Sequence, residues 1–155
     1  MNQGLYWLWR VLPMPKWLRS CLMWFINRKF VVGTAALILN ERGEILLFKH
    51  FYRKDTPWGF PGGYLRRGES PQDAIQREIQ EESGFHIKIH QLLEVIQSLE
   101  MARIEVLFLG ELIGKDDFIP STEVIEARFF DVNQLPALLP EHEAILRRHI
   151  YDVKR

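Results

Sequence analysis

Residues 70–84 specify a helix from both ends, and this stretch constrains the fold more than any other. Ser70 can cap the free amide of Asp73, Asp73 completes a capping box, and Pro71 takes the first helical position, where its missing N–H costs nothing. Gly84 can adopt the left-handed conformation that ends a helix, so the pattern predicts a helix over 71–82 with Ile75 and Ile79 toward the core. At about 100° per residue, Glu78, Glu81 and Glu82 then fall on one side, within an arc of about 100°. Like charges so placed repel by about 0.2–0.5 kcal/mol per exposed pair, and more when partly buried. Mg2+ is the natural compensator, being a hard cation that prefers carboxylate oxygen and keeps waters that phosphates can displace. An acidic helix face that merely meets solvent is the competing reading.

The preceding segment favours the cation. Residues 51–69 hold Pro57, Gly59, Pro61, Gly62, Gly63 and Gly68 and read as a long loop, a feature usually functional in a compact domain. Its glycines allow positive φ and close approach of backbone to a ligand, and amides at Gly62 and Gly63 could meet phosphate. The start of the helix is a second anion site, made less inviting by Glu69. No Gly-Lys-Ser/Thr follows, so this is not a P-loop.

Around this centre, residues 30–39 and 45–48 read as buried strands joined in a hairpin through the turn at 40–43. Strands are expected at 85–96, 102–112 and 127–132, a short helical turn at 133–138, and a terminal helix at 141–151. No internal repeat, low-complexity tract or second domain is visible in these residues. The class is α/β.

The run Gly63-Tyr-Leu-Arg-Arg-Gly-Glu69-Ser-Pro-Gln-Asp-Ala-Ile-Gln-Arg77-Glu78-Ile79-Gln-Glu81-Glu82-Ser-Gly84-Phe85 resembles the signature of the Nudix hydrolases at every constrained position. That signature is glycine, five residues, glutamate, seven residues, then Arg-Glu-aliphatic-any-Glu-Glu-any-Gly-hydrophobic. Seven fixed identities at roughly one in fifteen each make chance agreement on the order of one in 10^8 per position tested, far below that of short motifs. The resemblance implies a Nudix-type α/β/α sandwich with a central mixed sheet over residues 30–155. It also implies hydrolysis of a phosphoanhydride bond in a nucleoside diphosphate derivative or related diphosphate compound, with Mg2+ or Mn2+ as cofactor.

By the same resemblance, Glu78, Glu81 and Glu82 hold the metal, Gly63 contributes beside it, and Glu69 reaches Arg77 to orient the acid cluster. Glu78 and Glu81 are both candidates for the base that takes the proton from water. A later acid often completes such a site: Glu123 is favoured over Glu126 and Glu105, with ordinary surface charge as the alternative for each. Arg53, flanked by His50, Tyr52 and Lys54, is a candidate for phosphate or ribose. Trp58 and Phe60 are candidates for stacking on a base, against the commoner role of packing. His142 and His149 read as structural or exposed. Relatives similar to ADP-ribose pyrophosphatases carry a proline some way past the box, where this chain reads Gln97-Ser98-Leu99-Glu100, so the substrate stays open. A non-catalytic nucleotide-binding module on the same scaffold is the alternative, and it should have lost a box carboxylate. None is lost.

Residues 1–29 are a different kind of sequence. Residues 1–30 contain Trp7, Trp9, Trp17 and Trp24 and five basic residues (Arg10, Lys16, Arg19, Arg28, Lys29), with no acid. The rest of the chain therefore has 15 basic and 20 acidic residues, net −5, which argues against general nucleic-acid binding. The segment is too interrupted for a transmembrane span or signal peptide, and residues 16–28 have the spacing of an amphipathic helix. Its apolar face should pack on the catalytic domain, on a second copy in a homodimer, or on a membrane as a peripheral contact. With the single cysteine Cys21 excluding an intramolecular disulfide, the cytoplasm is the expected compartment.

Overall fold

The structure, a computed structural model, describes residues 15–27, 29–98, 102–114 and 117–153. Trp7, Trp9, Arg10, Arg28, Leu99 and Glu100 lie outside the described residues. The chain divides into two compact units, Met1–Phe30 and Val31–Arg155.

In the first unit, α1 spans Lys16–Ile26 and buries none of its residues. Trp24 and Phe25 meet edge to face at 4.9 Å, and the Lys29 ammonium lies 3.3 Å from the centre of the Trp24 ring. Among the described residues no helix is long and apolar enough to cross a membrane.

The second unit is an α/β/α sandwich. Its strands are β1 (Val31–Ile38), β2 (Ile45–His50), β3 (Trp58–Gly59), β4 (Gly62–Tyr64), β5 (His86–Ser98), β6 (Arg103–Ile113) and β7 (Val124–Phe130). Its helices are α2 (Pro71–Ser83) and α3 (Pro140–Val153). One mixed sheet runs β4-β1-β6-β5, with β1 parallel to β6 and its other pairs antiparallel; the second runs β3-β2-β7, all antiparallel.

Alternation along β1 and β2 divides the interior into two layers. Ala36 and Ile38 of β1 and Leu46 and Phe48 of β2 pack with Ile75 and Ile79 of α2. Ala35, Leu37, Ile45 and Leu47 point the other way and pack with Ile145 and Leu146 of α3. At about 25 cal/mol per Å2 of apolar surface removed from water, these two layers are the main source of stability.

The expected hairpin at 31–48 does not form. The turn closes, with Asn40 N–H bonded to Glu44 O at 3.1 Å and Gly43 at φ 72°, but after a single bridge between Leu39 and Ile45 the strands enter different sheets. Both are buried on both faces, which a two-stranded ribbon with one wet face cannot provide. The expected helical turn at 133–138 is also absent. Pro136 and Pro140 disfavour helix at the residues before them, and the Asp131 carboxylate instead closes a turn by accepting the Asn133 amide at 2.8 Å. Strand β7 starts at Val124 rather than 127, which puts Glu126 inside the strand and leaves Glu123 on the loop before it.

Candidate active site

Helix α2 forms as its end signals require. The Ser70 hydroxyl accepts the Asp73 amide at 3.1 Å and donates to the Asp73 carboxylate at 2.6 Å, and Gly84 closes the helix at φ 76° with its amide on Gln80 O. Ile75 and Ile79 are fully buried, and the acids flank them on one side of the helix, Glu81 exposed and Glu78 and Glu82 half-buried. The loop of 51–69 is not wholly irregular, because β3 and β4 lie within it. Strand β4 pairs with β1 in the register Thr34↔Gly63 and Ala35↔Gly62, laying the Gly62-Gly63 backbone along the acidic edge.

Gly62 and Gly63 are not among the residues at positive φ, so their freedom to turn is not what the site uses. Close approach is. A methyl at Gly62 would sit 2.6 Å from Thr34 O, and one at Gly63 would sit 2.7 Å from Glu78 Oε1. The positive-φ glycine of this region is Gly68, in the turn before α2.

Arg77 organises the acids. Its Nε and Nη2 grip Glu69 at 2.7 and 2.9 Å, Nη2 also bonds Tyr64 O at 3.1 Å, and Nη1 reaches Glu78 at 2.7 Å and Glu81 at 3.2 Å. Arg66 adds a second grip on Glu81, at 2.9 and 3.2 Å, and its amide bonds Glu69 at 2.9 Å. Hydrogen bonds from Arg77 and from the Arg66 amide hold the Glu69 carboxyl down to about 2, and Glu69 in turn raises Arg77. Glu69 and Arg77 thus tie the turn before α2 to the helix itself.

Glu82 lacks such a partner. Its Oε2 is buried and without a hydrogen bond, and burial, then the charges of Glu78 and Glu123, push its carboxyl up to about 8. Glu123 is exposed at the end of the loop before β7, where Ser121 Oγ caps the Val124 amide at 3.0 Å and Phe51 N–H holds Glu123 O at 2.9 Å. Together Glu78, Glu81, Glu82, Glu123 and the Gly62-Gly63 backbone line a cleft of about 370 Å3. A larger hollow of about 510 Å3 around Glu41–Ile45 and Asp131–Asn133 contains none of these groups.

Among the described residues no three acidic, histidine or cysteine side chains already surround one point as a metal-ligand set. Glu78 and Glu81 are turned to arginine instead. The residues nevertheless fit a divalent cation: four carboxylates share one cleft, and the buried lone-pair oxygen of Glu82 has nothing to accept. An oxygen donor set of this kind suits Mg2+ or Mn2+.

The other sequence candidates divide. Arg53 comes close enough for its charge to act on Glu82. Glu126 is on β7, paired with Lys49 at 3.2 Å, and Glu105 on β6 is paired with Arg103; neither lines the carboxylate cleft. Phe60 is 4% exposed and stacked against His142 at 4.5 Å, while Trp58 packs edge to face on Phe130 at 4.8 Å. Both belong to the layer under α3, the packing alternative rather than base stacking. His142, read as structural or exposed, is buried beside the site, and its position 83 residues after Gly59 in sequence leaves no local signal. Its proximity comes only from α3 folding over β3.

The NUDIX domain model matches residues 29–152. The chain is 34% identical over 121 residues to an ADP-ribose pyrophosphatase of Methanocaldococcus jannaschii, covering 73% of this chain and 69% of that protein. It is 32% identical over 126 residues to a Bacillus subtilis protein provisionally named an 8-oxo-dGTP diphosphatase, covering 81% and 80%. Among solved structures, a NUDIX hydrolase from Nitrosomonas europaea superposes with a TM-score of 0.73 at 22% identity, covering 81% of this chain and 73% of that one, a likeness of fold.

Proposed function

The chain belongs to the Nudix family, and from that premise we propose that it hydrolyses a phosphoanhydride bond in a nucleoside diphosphate derivative or related diphosphate compound, using Mg2+, with Mn2+ as a substitute. The observation that carries the reading is the unpartnered, buried Glu82 carboxylate in a cleft with Glu78, Glu81 and Glu123. A solvated acidic face would leave that oxygen in water.

Glu82 is the first ligand in this reading, with Glu81, Glu78 and the Gly63 backbone beside it and Glu123 closing the cleft from the loop. A divalent ion held there would neutralise phosphate charge and supply Lewis-acid activation of water. The chain's own part is to hold the acids in register and to take up a proton. Arg77 and Glu69 do the first by fastening the turn, β4 and α2 to one another. Glu78 and Glu81 are the candidates for the second: Arg77 holds one oxygen of Glu78, whereas Glu81 would have to release Arg66 from one of its two. Arg53, whose charge reaches Glu82, is the candidate to meet a phosphate of the substrate.

The relatives support a diphosphate substrate and diverge on what is attached to it, one acting on ADP-ribose and the other carrying an oxidised-nucleotide name. The test is a screen of nucleoside triphosphates, nucleotide sugars, dinucleoside polyphosphates and isoprenoid diphosphates with Mg2+ and Mn2+, repeated with Glu82→Gln. Metal-dependent turnover lost in the folded variant is the expected result. Binding without turnover across the panel would favour the non-catalytic module.

A further inference from the structure

Helix α1 is built unlike α2. Its cap residue Pro15 makes no side-chain hydrogen bond, and it has no acid in its first turn and no base in its last, so neither end is reinforced by a side chain. It has 11 residues, and a lone helix shorter than about 12–15 residues is marginal in water. A helix so made depends on whatever its apolar side rests against.

That side is broad. At about 100° per residue, Trp24, Trp17, Phe25, Leu18, Leu22 and Ile26 fall within an arc of about 200°, and Lys16, Arg19 and Ser20 share the remainder with Met23. A helix seated on a globular core commonly needs an apolar stripe of only about 100°. None of the arc is buried: Trp17, Trp24, Phe25 and Ile26 are between 58% and 76% exposed. Soluble proteins rarely leave a patch of this kind in water, so it has a partner.

Charge identifies the partner. Residues 1–30 carry five basic residues and no acid. Lys16 and Arg19 border the arc on its polar side, and the Lys29 ammonium stands 3.3 Å from the centre of the Trp24 ring, so cation and aromatic face one boundary. A second copy of this helix would bring like charges together. The catalytic unit of another copy is net acidic, but among the described residues its exposed large hydrophobics come at most two from any one strand or loop, against six on α1. It matches the charge and not the apolar surface. An anionic bilayer supplies both, in the layer where tryptophan is favoured and basic side chains meet lipid phosphate. At about 1.5 Å per residue α1 is roughly 17 Å long, short of the hydrocarbon thickness of about 30 Å, so it would lie in the plane of the interface.

We propose that α1 docks the protein on an anionic phospholipid bilayer, with Trp17, Trp24 and Phe25 in the boundary between headgroups and acyl chains and Lys16 and Lys29 on the lipid phosphates. This adds a partner to the hydrolase and does not depend on which diphosphate is cleaved.

The test mixes the full chain with vesicles of phosphatidylcholine alone or of phosphatidylcholine with phosphatidylglycerol, and reads binding by sedimentation and by tryptophan emission. Four of the five tryptophans lie in residues 1–30, so emission reports chiefly on this segment. Binding about tenfold or more tighter to the anionic vesicles, with a blue shift and weakening at high salt, is expected. Phe25→Glu, in the middle of the apolar arc, should abolish binding to both. Lys16→Glu should weaken binding to the anionic vesicles by about tenfold or more, since each basic residue near such a surface contributes about fivefold. Both side chains are exposed, so neither change should move the melting temperature. Absence of binding to either vesicle, equal binding to both that Lys16→Glu leaves unchanged, or anionic-lipid binding that survives Phe25→Glu would each overturn the proposal. A dimer that Phe25→Glu disperses, with no vesicle binding, would overturn it in favour of a second copy.

Discussion

At the scale of single residues, the acid cluster makes its own electrostatic prediction. Without a cation, the folded Glu82 carboxyl titrates near 8 against 4.5 in the unfolded chain, so between those values the native state holds a proton that the unfolded state has lost. The stability from this group is complete below about pH 4.5 and is lost as pH rises toward 8. Calorimetry of the metal-free protein should show that decline, Glu82→Gln should remove its Glu82 part, and Mg2+ should stabilise more at pH 8 than at pH 6. A steeper decline in the variant would place the titrating group elsewhere. Gly63 makes a steric prediction, because its missing side chain is what admits the Glu78 carboxylate. Gly63→Ala should lower kcat by about 10–100-fold, the effect of displacing a catalytic group by about an ångström, with the fold retained.

At the scale of elements, α2 is both the most locally specified helix and the one that carries Glu78, Glu81 and Glu82. Removing its cap in Ser70→Ala should cost about 1 kcal/mol, measured by denaturant unfolding, with the slope unchanged. Gly84→Ala should cost at least as much, since the position is at φ 76° and a methyl there would meet the Ile119 side chain at 3.0 Å. Glu69→Gln acts differently. It leaves α2 itself intact but weakens the tie from Arg77 to the turn before the helix, so metal affinity or turnover should fall about 10–100-fold. Loss of the helix in that variant, seen by circular dichroism, would show that the pair supports folding rather than the site.

At the scale of the whole molecule, the two units pose separate questions. Residues 31–155 contain both core layers, so a chain beginning at Lys29 should melt cooperatively and retain hydrolysis; a broad, non-cooperative melt would refute that independence. Sedimentation with anionic vesicles, compared between that chain and the full one, reports whether the exposed Trp17, Trp24 and Phe25 meet lipid. Much of the catalytic unit was legible beforehand: the ends of α2, the acids on one side of it, the reach of Glu69 to Arg77, and strands within a few residues of their places. The helix ends, the acid face and the strands depend on neighbours close in sequence, on capping, periodicity and turn chemistry, which act at short range, whereas the contact of Glu69 with Arg77 was implied by the Nudix resemblance. Which sheet β1 and β2 would join was not legible, because a strand buried on both faces carries no alternation to say which neighbours will cover it. Nor was the meeting of His50, Arg53 and His142 beside Gly62, which brings together residues from a strand end, a loop and a terminal helix. Local chemistry determined the carboxylate helix; only the packing of α3 over the sheets decided what stands next to it.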